Sequence, residues 1–213
     1  MWYRKRMRVI LDYGGVLVDH VDEREYAQLL GVSPEQDPYP GWLAYYLFRA
    51  GFLTTQDQYV DLLSTLTGAS EEDCIAYVNE TWLDPEFPDE HREILAELAA
   101  EHSLVLFSNM AKPWVERVLQ RHNVHDLFDA LVVSSEIERP KPHPRGYVRS
   151  MEDADGEVVM VSDEYNEDLL MAQCLGMTTV WLENDDDEEP YREPDYTIDD
   201  LGSLGAVLET IQQ

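Results

Sequence analysis

The sequence predicts an α/β protein: a Rossmann-like parallel sheet core with helices on both faces and an all-helical cap domain inserted into it. Short runs of branched apolar residues alternate with helical patterns along most of the chain, and this alternation is typical of parallel sheets joined by right-handed crossovers. Residues 18–86 contain helical patterns but no strand-like run. That interruption predicts a helical insert rather than a further part of the sheet.

Five runs are expected to form buried strands, because each is short, apolar and rich in branched side chains. They are residues 7–11 (MRVIL), 103–107 (SLVLF), 131–133 (LVV), 157–161 (EVVMV) and 178–182 (TTVWL). Helical patterns between the later strands predict helices at residues 89–101, 113–122 and 166–175.

The cap is expected to span residues 18–86, and the core to comprise residues 1–17 and 87–213. Its predicted helices are residues 23–30, 42–50, 55–66 and 71–82, separated by segments that contain glycine or proline. An insert that leaves the carboxyl end of the first strand would cover a site at that edge as a lid.

The chain is strongly acidic, with 44 acidic against 15 basic residues and a net charge of -29 over 213 residues. A polyanionic surface repels nucleic acid and anionic lipid, so neither is an expected partner. The excess is spread along the chain and lysine is scarce, a composition that resembles proteins of salt-loving organisms. An ordinary acidic cytosolic protein is the alternative. The densest acidic run, residues 185–189 (DDDEE), is expected to be a solvated loop.

Cysteine usage and hydropathy predict a cytoplasmic protein. The two cysteines, Cys74 and Cys174, have no metal-site or disulfide-framework spacing. The first apolar run is broken by Asp12 after four residues, unlike a signal peptide, and no apolar stretch is long enough to span a membrane. A monomer or a homodimer is expected.

Polar side chains follow three of the predicted strands at the point where each strand ends. Asp12 follows the first strand, Ser108 the second and Asp163 lies just after the fourth. Ligands of open α/β sheets bind outside the carboxyl ends of the strands. Lys141, one of only three lysines, lies in a proline-rich segment between two elements. These residues are therefore candidates for chemistry.

Four segments, together with the helical insert, resemble the haloacid dehalogenase-like (HAD) hydrolase superfamily, in the subfamily whose helical cap follows the first motif. The segments are residues 12–17 (DYGGVL), 108–109 (SN), 139–147 (RPKPHPRGY) and 162–168 (SDEYNED). The resemblance extends over essentially the whole chain, and the subgroup it suggests includes sugar-phosphate phosphatases. It implies a Mg²⁺-dependent phosphatase acting on a small phosphorylated metabolite.

The resemblance also implies a role for each residue, and the chemistry of each side chain agrees. Asp12 would attack phosphorus and form an aspartyl-phosphate, with Lys141 as the compensating positive charge. Oxygen donors suit Mg²⁺, and Glu164 and Asp168 would hold its waters or the lysine. The expected metal ligands are Asp12, Gly14 (through its carbonyl), Asp163 and Asp168. The expected substrate-binding residues are Ser108, Asn109, Gly14 and Gly15. The two glycines would let the backbone approach the phosphate closely.

One position departs from the family pattern. Most family phosphatases carry a second Asp two residues after the nucleophile, where it protonates the leaving oxygen; here Gly14 occupies that position. General acid–base catalysis contributes about 10²–10⁴-fold. The alternatives are therefore a catalytically weak or inactive phosphate-binding protein and, third, a 2-haloacid dehalogenase. That last branch typically has Ser at the position of Asp163 and needs no metal.

Further residues are weaker candidates. Arg145 and Tyr147 are expected to brace the lysine segment. The cap side of the pocket has five candidates, although such residues more often belong to a core or a solvated face: His20, Trp42, Tyr45, Tyr46 and Arg49.

Overall fold

The computed structural model describes residues 6–183 and 190–213, and within them six parallel strands form one sheet. The strands are β1 (Arg8–Leu11), β2 (Ser103–Ser108), β3 (Ala130–Val133), β4 (Val158–Ser162), β5 (Thr178–Leu182) and β6 (Tyr196–Ile198). Their order across the sheet is β3-β2-β1-β4-β5-β6. The order reverses beside β1, because the chain crosses from β3 back over the first strand to β4. The parallel Rossmann-like core is thus confirmed.

The central strand β1 lies between β2 and β4, and the register aligns their carboxyl ends. Leu11 pairs with Leu106 of β2 and with Val161 of β4. The Asp12 amide continues this ladder by donating to the Val161 carbonyl at 3.0 Å. Residues that follow these three strands therefore meet at one edge of the sheet.

The five predicted strands are found within one residue at each end, whereas β6 was not predicted. Three residues are too few to show a period, and β6 is recognisable only through its pairing with β5.

The segment between β1 and β2 is helical, as predicted. It contains a 3₁₀ helix (Glu23–Leu30), α1 (Pro40–Arg49), α2 (Gln56–Thr67), α3 (Glu71–Val78) and a π-helical turn (Asn79–Leu83). The helix expected at residues 71–82 therefore changes type after Val78. The Thr81 hydroxyl donates to the Tyr77 carbonyl within this turn. Single π turns are frequent at functional sites, and Thr81 and Trp82 line the cavity described below.

The core helices are α4 (Asp89–Glu101), α5 (Lys112–Arg121), α6 (Ser134–Ile137), α7 (Pro144–Ser150), α8 (Leu170–Cys174) and α9 (Leu204–Ile211). The first two match predictions. The helix expected at residues 166–175 is a π turn (Tyr165–Leu169) followed by α8. The α6, α7 and α9 helices were not predicted, since each spans only four to eight residues.

An aromatic cluster joins the helical insert to the core. Trp114 of α5 contacts Phe48, Tyr59 and Trp82 of the insert, with ring centroids 4.5, 5.0 and 5.8 Å away. Residues of both parts belong to a single hydrophobic cluster around β1 and β2. The insert is therefore held against the carboxyl edge of the sheet by apolar burial.

Within the described part of the chain, no helix combines the length and the apolar character needed to cross a lipid bilayer.

Candidate active site

A cavity of about 240 Å³ lies between the carboxyl edge of the sheet and the helical insert. The sheet side contributes Asp12, Gly14, Ser108, Asn109, Lys141 and Asp168. The insert contributes Trp42, Tyr45, Arg49, Thr81 and Trp82. The structure therefore brings six of the predicted site residues to one wall, although they are separated by up to 156 positions in the chain.

Lys141 is the centre of a buried ionic network. Its Nζ lies 2.8 Å from Asp12 Oδ2 and 2.5 Å from Asp168 Oδ2. Ser162 at the end of β4 donates its hydroxyl to Asp168 Oδ2 at 2.7 Å. All four side chains are buried. A buried charge persists only where it is paired and hydrogen-bonded, and this network meets that condition for the lysine.

The network changes the proton affinities of its members. Burial alone would lower the pKa of Lys141, but the adjacent Asp12 and Asp168 carboxylates outweigh it and hold this pKa above its ordinary value. Burial raises the pKa of Asp168 to about 7, with the lysine opposing the rise and Asp12 adding to it. Lys141 is therefore cationic at neutral pH and offers a fixed positive charge beside Asp12.

Asn109 holds the backbone of the lysine, and Tyr147 holds the backbone of its partner Asp168. The Asn109 side chain accepts from the Lys141 amide at 2.6 Å and donates to the Lys141 carbonyl at 3.4 Å. The buried Tyr147 hydroxyl donates to the Asp168 carbonyl at 3.1 Å. Tyr147 thus ties α7 to the Asp168 backbone, whereas Arg145 is exposed. A brace on the lysine itself stays a prediction for both residues. The side-chain hydrogen bonds of Asn109 are with the lysine backbone, and its carbonyl accepts from the Tyr45 hydroxyl at 3.0 Å. Its contact with substrate stays a prediction.

Asp12 is held by the turn that follows β1. Its Oδ1 accepts from the Tyr13 amide at 2.7 Å, while Oδ2 faces Lys141. The carboxylate therefore has one oriented oxygen beside a cation and lines the cavity. Ser108, at the end of β2, is buried at the same edge.

The carboxylate of Asp163 packs against the segment that follows Asp12, at Gly15 and His20. Oδ2 is 2.7 Å from His20 Nε2, and the Asp163 carbonyl accepts from the Trp181 indole at 2.9 Å. A Cβ at Gly15 would lie 1.9 Å from Asp163 Oδ2, and Gly15 has φ +68°. Only glycine is accommodated there, and the close approach that requires it is to Asp163.

Gly15 was predicted to bind substrate, but it is not among the described residues that line the Asp12 cavity; it lines a neighbouring one. A contact of Gly15 with substrate stays a prediction. Asp168 binds the lysine, the second of its two expected roles, and its role as a metal ligand also stays a prediction.

His20 occupies the space beside Gly14. A Cβ at Gly14 would lie 3.3 Å from His20 Cε1, tighter than an ordinary van der Waals contact. The hydrogen bond to Asp163 raises the pKa of His20 against the opposing effect of burial, and nearby carboxylates raise it further. The sequence shows Gly14 and His20 six residues apart but contains no signal that they face each other.

The cap wall is aromatic and carries one cation. Trp42, Tyr45 and Arg49 line the cavity as proposed from the sequence, whereas Tyr46 is not among the described lining residues and stacks on Trp42 with centroids 5.5 Å apart. Trp82, which sequence reasoning missed, stacks on Tyr45 at 4.4 Å. Its helical pattern alone could not distinguish a core position from a cavity wall.

The cavity has an excess of negative charge. Among the described residues, six carboxylic side chains line it, against the two permanent cations Lys141 and Arg49. The carboxylic residues are Asp12, Asp19, Glu23, Glu164, Glu167 and Asp168. Such a wall repels an anion unless further positive charge is bound.

The donors present fit a divalent cation. His20, Asp163 and Glu164 each offer a ligand atom, and these atoms lie within 4.8 Å of one another. Asp163 is 3% exposed and contacts His20 through Oδ2. Carboxylate and carbonyl oxygens are the ligands that Mg²⁺ prefers. The acidic run at residues 185–189 lies outside the described residues.

The chain matches the family model of haloacid dehalogenase-like hydrolases over residues 7–176. Among curated proteins, it is 31% identical over 113 residues to a glyceraldehyde 3-phosphate phosphatase of Pyrococcus furiosus, covering 50% of this chain and 46% of that protein. The chain spans about half the length of the curated relatives it matches.

Two solved structures show the same fold. A 2-haloacid dehalogenase of Pseudomonas syringae superposes with a TM-score of 0.69 at 19% identity, covering 97% of this chain and 99% of the other. A HAD family enzyme of Bacteroides thetaiotaomicron, solved with magnesium and inorganic phosphate, superposes with a TM-score of 0.70 at 21% identity, covering 85% and 96%. The sequence match, the parallel sheet and the Asp12–Lys141 network agree, and the chain belongs to the haloacid dehalogenase-like hydrolase family.

Proposed function

We propose that the protein is a Mg²⁺-dependent phosphatase that hydrolyses a small phosphorylated metabolite through an aspartyl-phosphate on Asp12. The observation that carries this proposal is the contact between Lys141 Nζ and Asp12 Oδ2 at 2.8 Å, on the wall of a cavity large enough for a small metabolite. A carboxylate oriented beside a fixed cation is suited to attack an electron-poor centre that carries negative charge.

In the first step an Asp12 carboxylate oxygen attacks phosphorus. A bond forms between that oxygen and phosphorus, the bond from phosphorus to the ester oxygen breaks, and the leaving oxygen keeps the electron pair. Lys141 would stabilise the negative charge of the phosphoryl oxygens, and Ser108, which lines the same cavity, would donate to one of them. The leaving oxygen takes its proton from water, because Gly14 offers no acid.

In the second step water attacks phosphorus of the aspartyl-phosphate. The bond between phosphorus and the Asp12 oxygen breaks, inorganic phosphate leaves and the carboxylate is regenerated. Asn109 holds the Lys141 backbone throughout, so the cation remains beside the reacting carboxylate.

Asp12, Asp163 and the Gly14 carbonyl would hold the Mg²⁺, which supplies positive charge to the phosphoryl oxygens. The charge of the cavity supports a metal requirement, since in the described part of the chain six carboxylic groups line it against two permanent cations. A phosphate ester brings further negative charge into this space. Lys141 is already paired with two carboxylates, so it alone cannot offset that charge.

The cap wall favours a substrate with a flat or apolar part and a second polar group. Trp42, Tyr45 and Trp82 offer aromatic surface, and Arg49 offers a cation on the same wall. The phosphatase of Pyrococcus furiosus to which the chain is similar is named for a small sugar phosphate. Both observations support a small metabolite rather than a macromolecular substrate.

The protein is further proposed to be cytoplasmic and to function at high salt. The described cysteines Cys74 and Cys174 are both unpaired, which supports the reducing cytoplasm. The net charge of -29 supports function at high salt, where the self-repulsion of the acidic surface is screened. A monomer or a homodimer is proposed.

The test is a screen of phosphorylated metabolites with Mg²⁺, at low and high salt, with Asp12→Asn as the control. We expect release of inorganic phosphate from at least one small ester by the wild type and none by the variant. Equal phosphate release by both proteins would refute Asp12 as the nucleophile. A parallel assay for halide release from 2-haloacids tests the dehalogenase alternative, which the structural likeness raises but which Asp163 disfavours.

A second candidate is a phosphate-binding protein without catalysis, and Gly14 is the observation that favours it. Calorimetry with inorganic phosphate and Mg²⁺ distinguishes the two. Binding without turnover of any ester would favour the second candidate.

A further inference from the structure

His20 contacts Asp163 and lies beside Gly14, two residues of the proposed cation site. Its Nε2 lies 2.7 Å from Asp163 Oδ2, and its ring packs where a Gly14 side chain would stand, 3.3 Å from the Cβ position. Asp163 and the Gly14 carbonyl are two of the proposed metal ligands. The imidazole therefore stands where the two ligand-bearing segments meet.

The spacing of donor atoms suits a shared cation. Neighbouring ligands of an octahedral ion, each about 2.0–2.2 Å from the metal, stand about 3 Å apart. The His20 Nε2 and Asp163 Oδ2 atoms are 2.7 Å apart, and a Glu164 oxygen lies within 4.8 Å of both. The distance between His20 Nε2 and Asp163 Oδ2 would need to increase only from 2.7 Å to about 3 Å for both atoms to bind one cation.

Gly14 has a structural consequence for this arrangement. A side chain at position 14 and the His20 ring would compete for one space, since the Cβ would already be 3.3 Å from the ring. The glycine thus admits the imidazole to the cation site. The carboxyl side chain that Gly14 lacks and the imidazole of His20 would thus belong to the same part of the site.

We infer that His20 is a protein ligand of the divalent cation, bound together with Asp163, and that this nitrogen donor shifts the site's preference from Mg²⁺ toward Mn²⁺ or Co²⁺. The inference rests on the proposed function for the existence of the cation site. Imidazole suits first-row transition ions, whereas carboxylate and carbonyl oxygens suit Mg²⁺. The same site without its imidazole would be an all-oxygen site.

The test uses Mn²⁺ alone as the probe. Pulsed electron paramagnetic resonance detects the modulation that a directly coordinated imidazole nitrogen imposes on the Mn²⁺ signal. We expect this modulation in the wild-type complex and its loss in His20→Ala. His125→Ala is the matched control, because His125 also contacts a carboxylate, Asp126 at 3.0 Å, but does not line the cavity. The Mn²⁺ complex of His125→Ala should keep the nitrogen modulation.

Calorimetry supplies a second readout. Replacing His20 by Ala should weaken Mn²⁺ binding about 10-fold, the lower end of the range for residues that support metal sites, and change Mg²⁺ binding less than about 3-fold. His20→Gln offers an amide oxygen instead of nitrogen and should bind Mg²⁺ like the wild type without the nitrogen signal. The His20 side chain is 55% exposed, so these variants should fold.

The outcomes separate this inference from the proposed function. If Mn²⁺ binds the wild type without nitrogen modulation, and Asp163→Ala abolishes the binding, the cation site stands and His20 is not a ligand. Nitrogen modulation that persists in His20→Ala also overturns the inference. If neither cation binds and no phosphate ester is hydrolysed, both the inference and the proposed function fail.

Discussion

Replacing Gly14 by Asp tests whether leaving-group protonation limits the proposed phosphatase. The substitution installs a carboxyl group where most family phosphatases keep their general acid. Gly14 is not among the described glycines with positive φ, so its backbone accepts a side chain without conformational strain. The obstacle is His20, whose ring would lie 3.3 Å from the new Cβ.

The contacts of His20 set the energetic cost of the substitution, which must be compared with the gain in rate. The His20 ring must shift by at least a few tenths of an ångström for the new Cβ to enter, and at most this shift costs its hydrogen bond to Asp163. Such bonds to charged groups contribute about 1.5–3 kcal/mol, and the 55% exposure of the His20 side chain places the loss at or below the lower value. Against this, a functioning general acid contributes about 10²–10⁴-fold in rate.

We therefore expect the double variant Gly14→Asp/His20→Ala to exceed the wild type on substrates with poor leaving groups. With saturating Mg²⁺, kcat/KM for a sugar phosphate should rise by at least about 10-fold, while that for an activated aryl phosphate should change little, because its leaving oxygen needs no proton. The single variant Gly14→Asp should gain less than the double variant.

The matched control is Gly14→Asn/His20→Ala, which has nearly the same shape and no acid. If the Asn and Asp double variants gain equally, the gain comes from space rather than from proton transfer. If the folded Asp double variant is slower than the wild type on both substrates, protonation of the leaving group is not limiting and the reasoning is refuted. Urea denaturation of each variant shows whether it is folded.

Three further perturbations have defined outcomes. Asp163→Ala should abolish Mg²⁺ binding in titration calorimetry, because Asp163 is proposed to share the cation with Asp12; an affinity equal to that of the wild type would locate the site elsewhere. Lys141→Met should lower the free energy of unfolding by about 3–5 kcal/mol, because it leaves the buried Asp12 carboxylate without its cation and removes the partner that lowers the pKa of Asp168; a loss below about 1 kcal/mol in urea denaturation would contradict the network. The thermal midpoint of the wild type should rise with NaCl, since the Debye length falls from about 10 Å at 0.1 M to about 3 Å at 1 M and screens the net charge of -29; a flat or falling midpoint would refute both the electrostatic argument and the halophilic interpretation.

Local sequence was sufficient to predict five of the six described strands and the edge of the sheet at which the site forms. In β1 the apolar residues 9–11 lead directly to Asp12, and in β4 the apolar residues 158–161 are separated from Asp163 only by Ser162. Parallel strands align their carboxyl ends, so the position of each polar residue after its strand already implies a common edge. The elements that were missed, β6 and α9 among them, are short, and their stability comes from pairing and packing rather than from their own periodicity.

The cap shows where local pattern is insufficient. Its helices follow from apolar periodicity, but Trp82 lines the cavity while Trp114, equally aromatic, is buried against the insert. The helical period alone does not say which neighbour a face will meet. The π turn at Asn79–Leu83 likewise departs from the regular helix that the pattern predicts.

The fold class, the helical insert and the set of polar residues that follow the strands could be predicted from local pattern, because each depends on neighbours a few positions away. Which of these residues touch is visible only in the folded chain. His20 and Asp163 are 143 positions apart and meet at 2.7 Å, and Gly15 is required by a carboxylate that follows the fourth strand. Such contacts depend on the crossover that places β4 beside β1, and no local preference of the chain encodes the distance between two side chains brought together in this way.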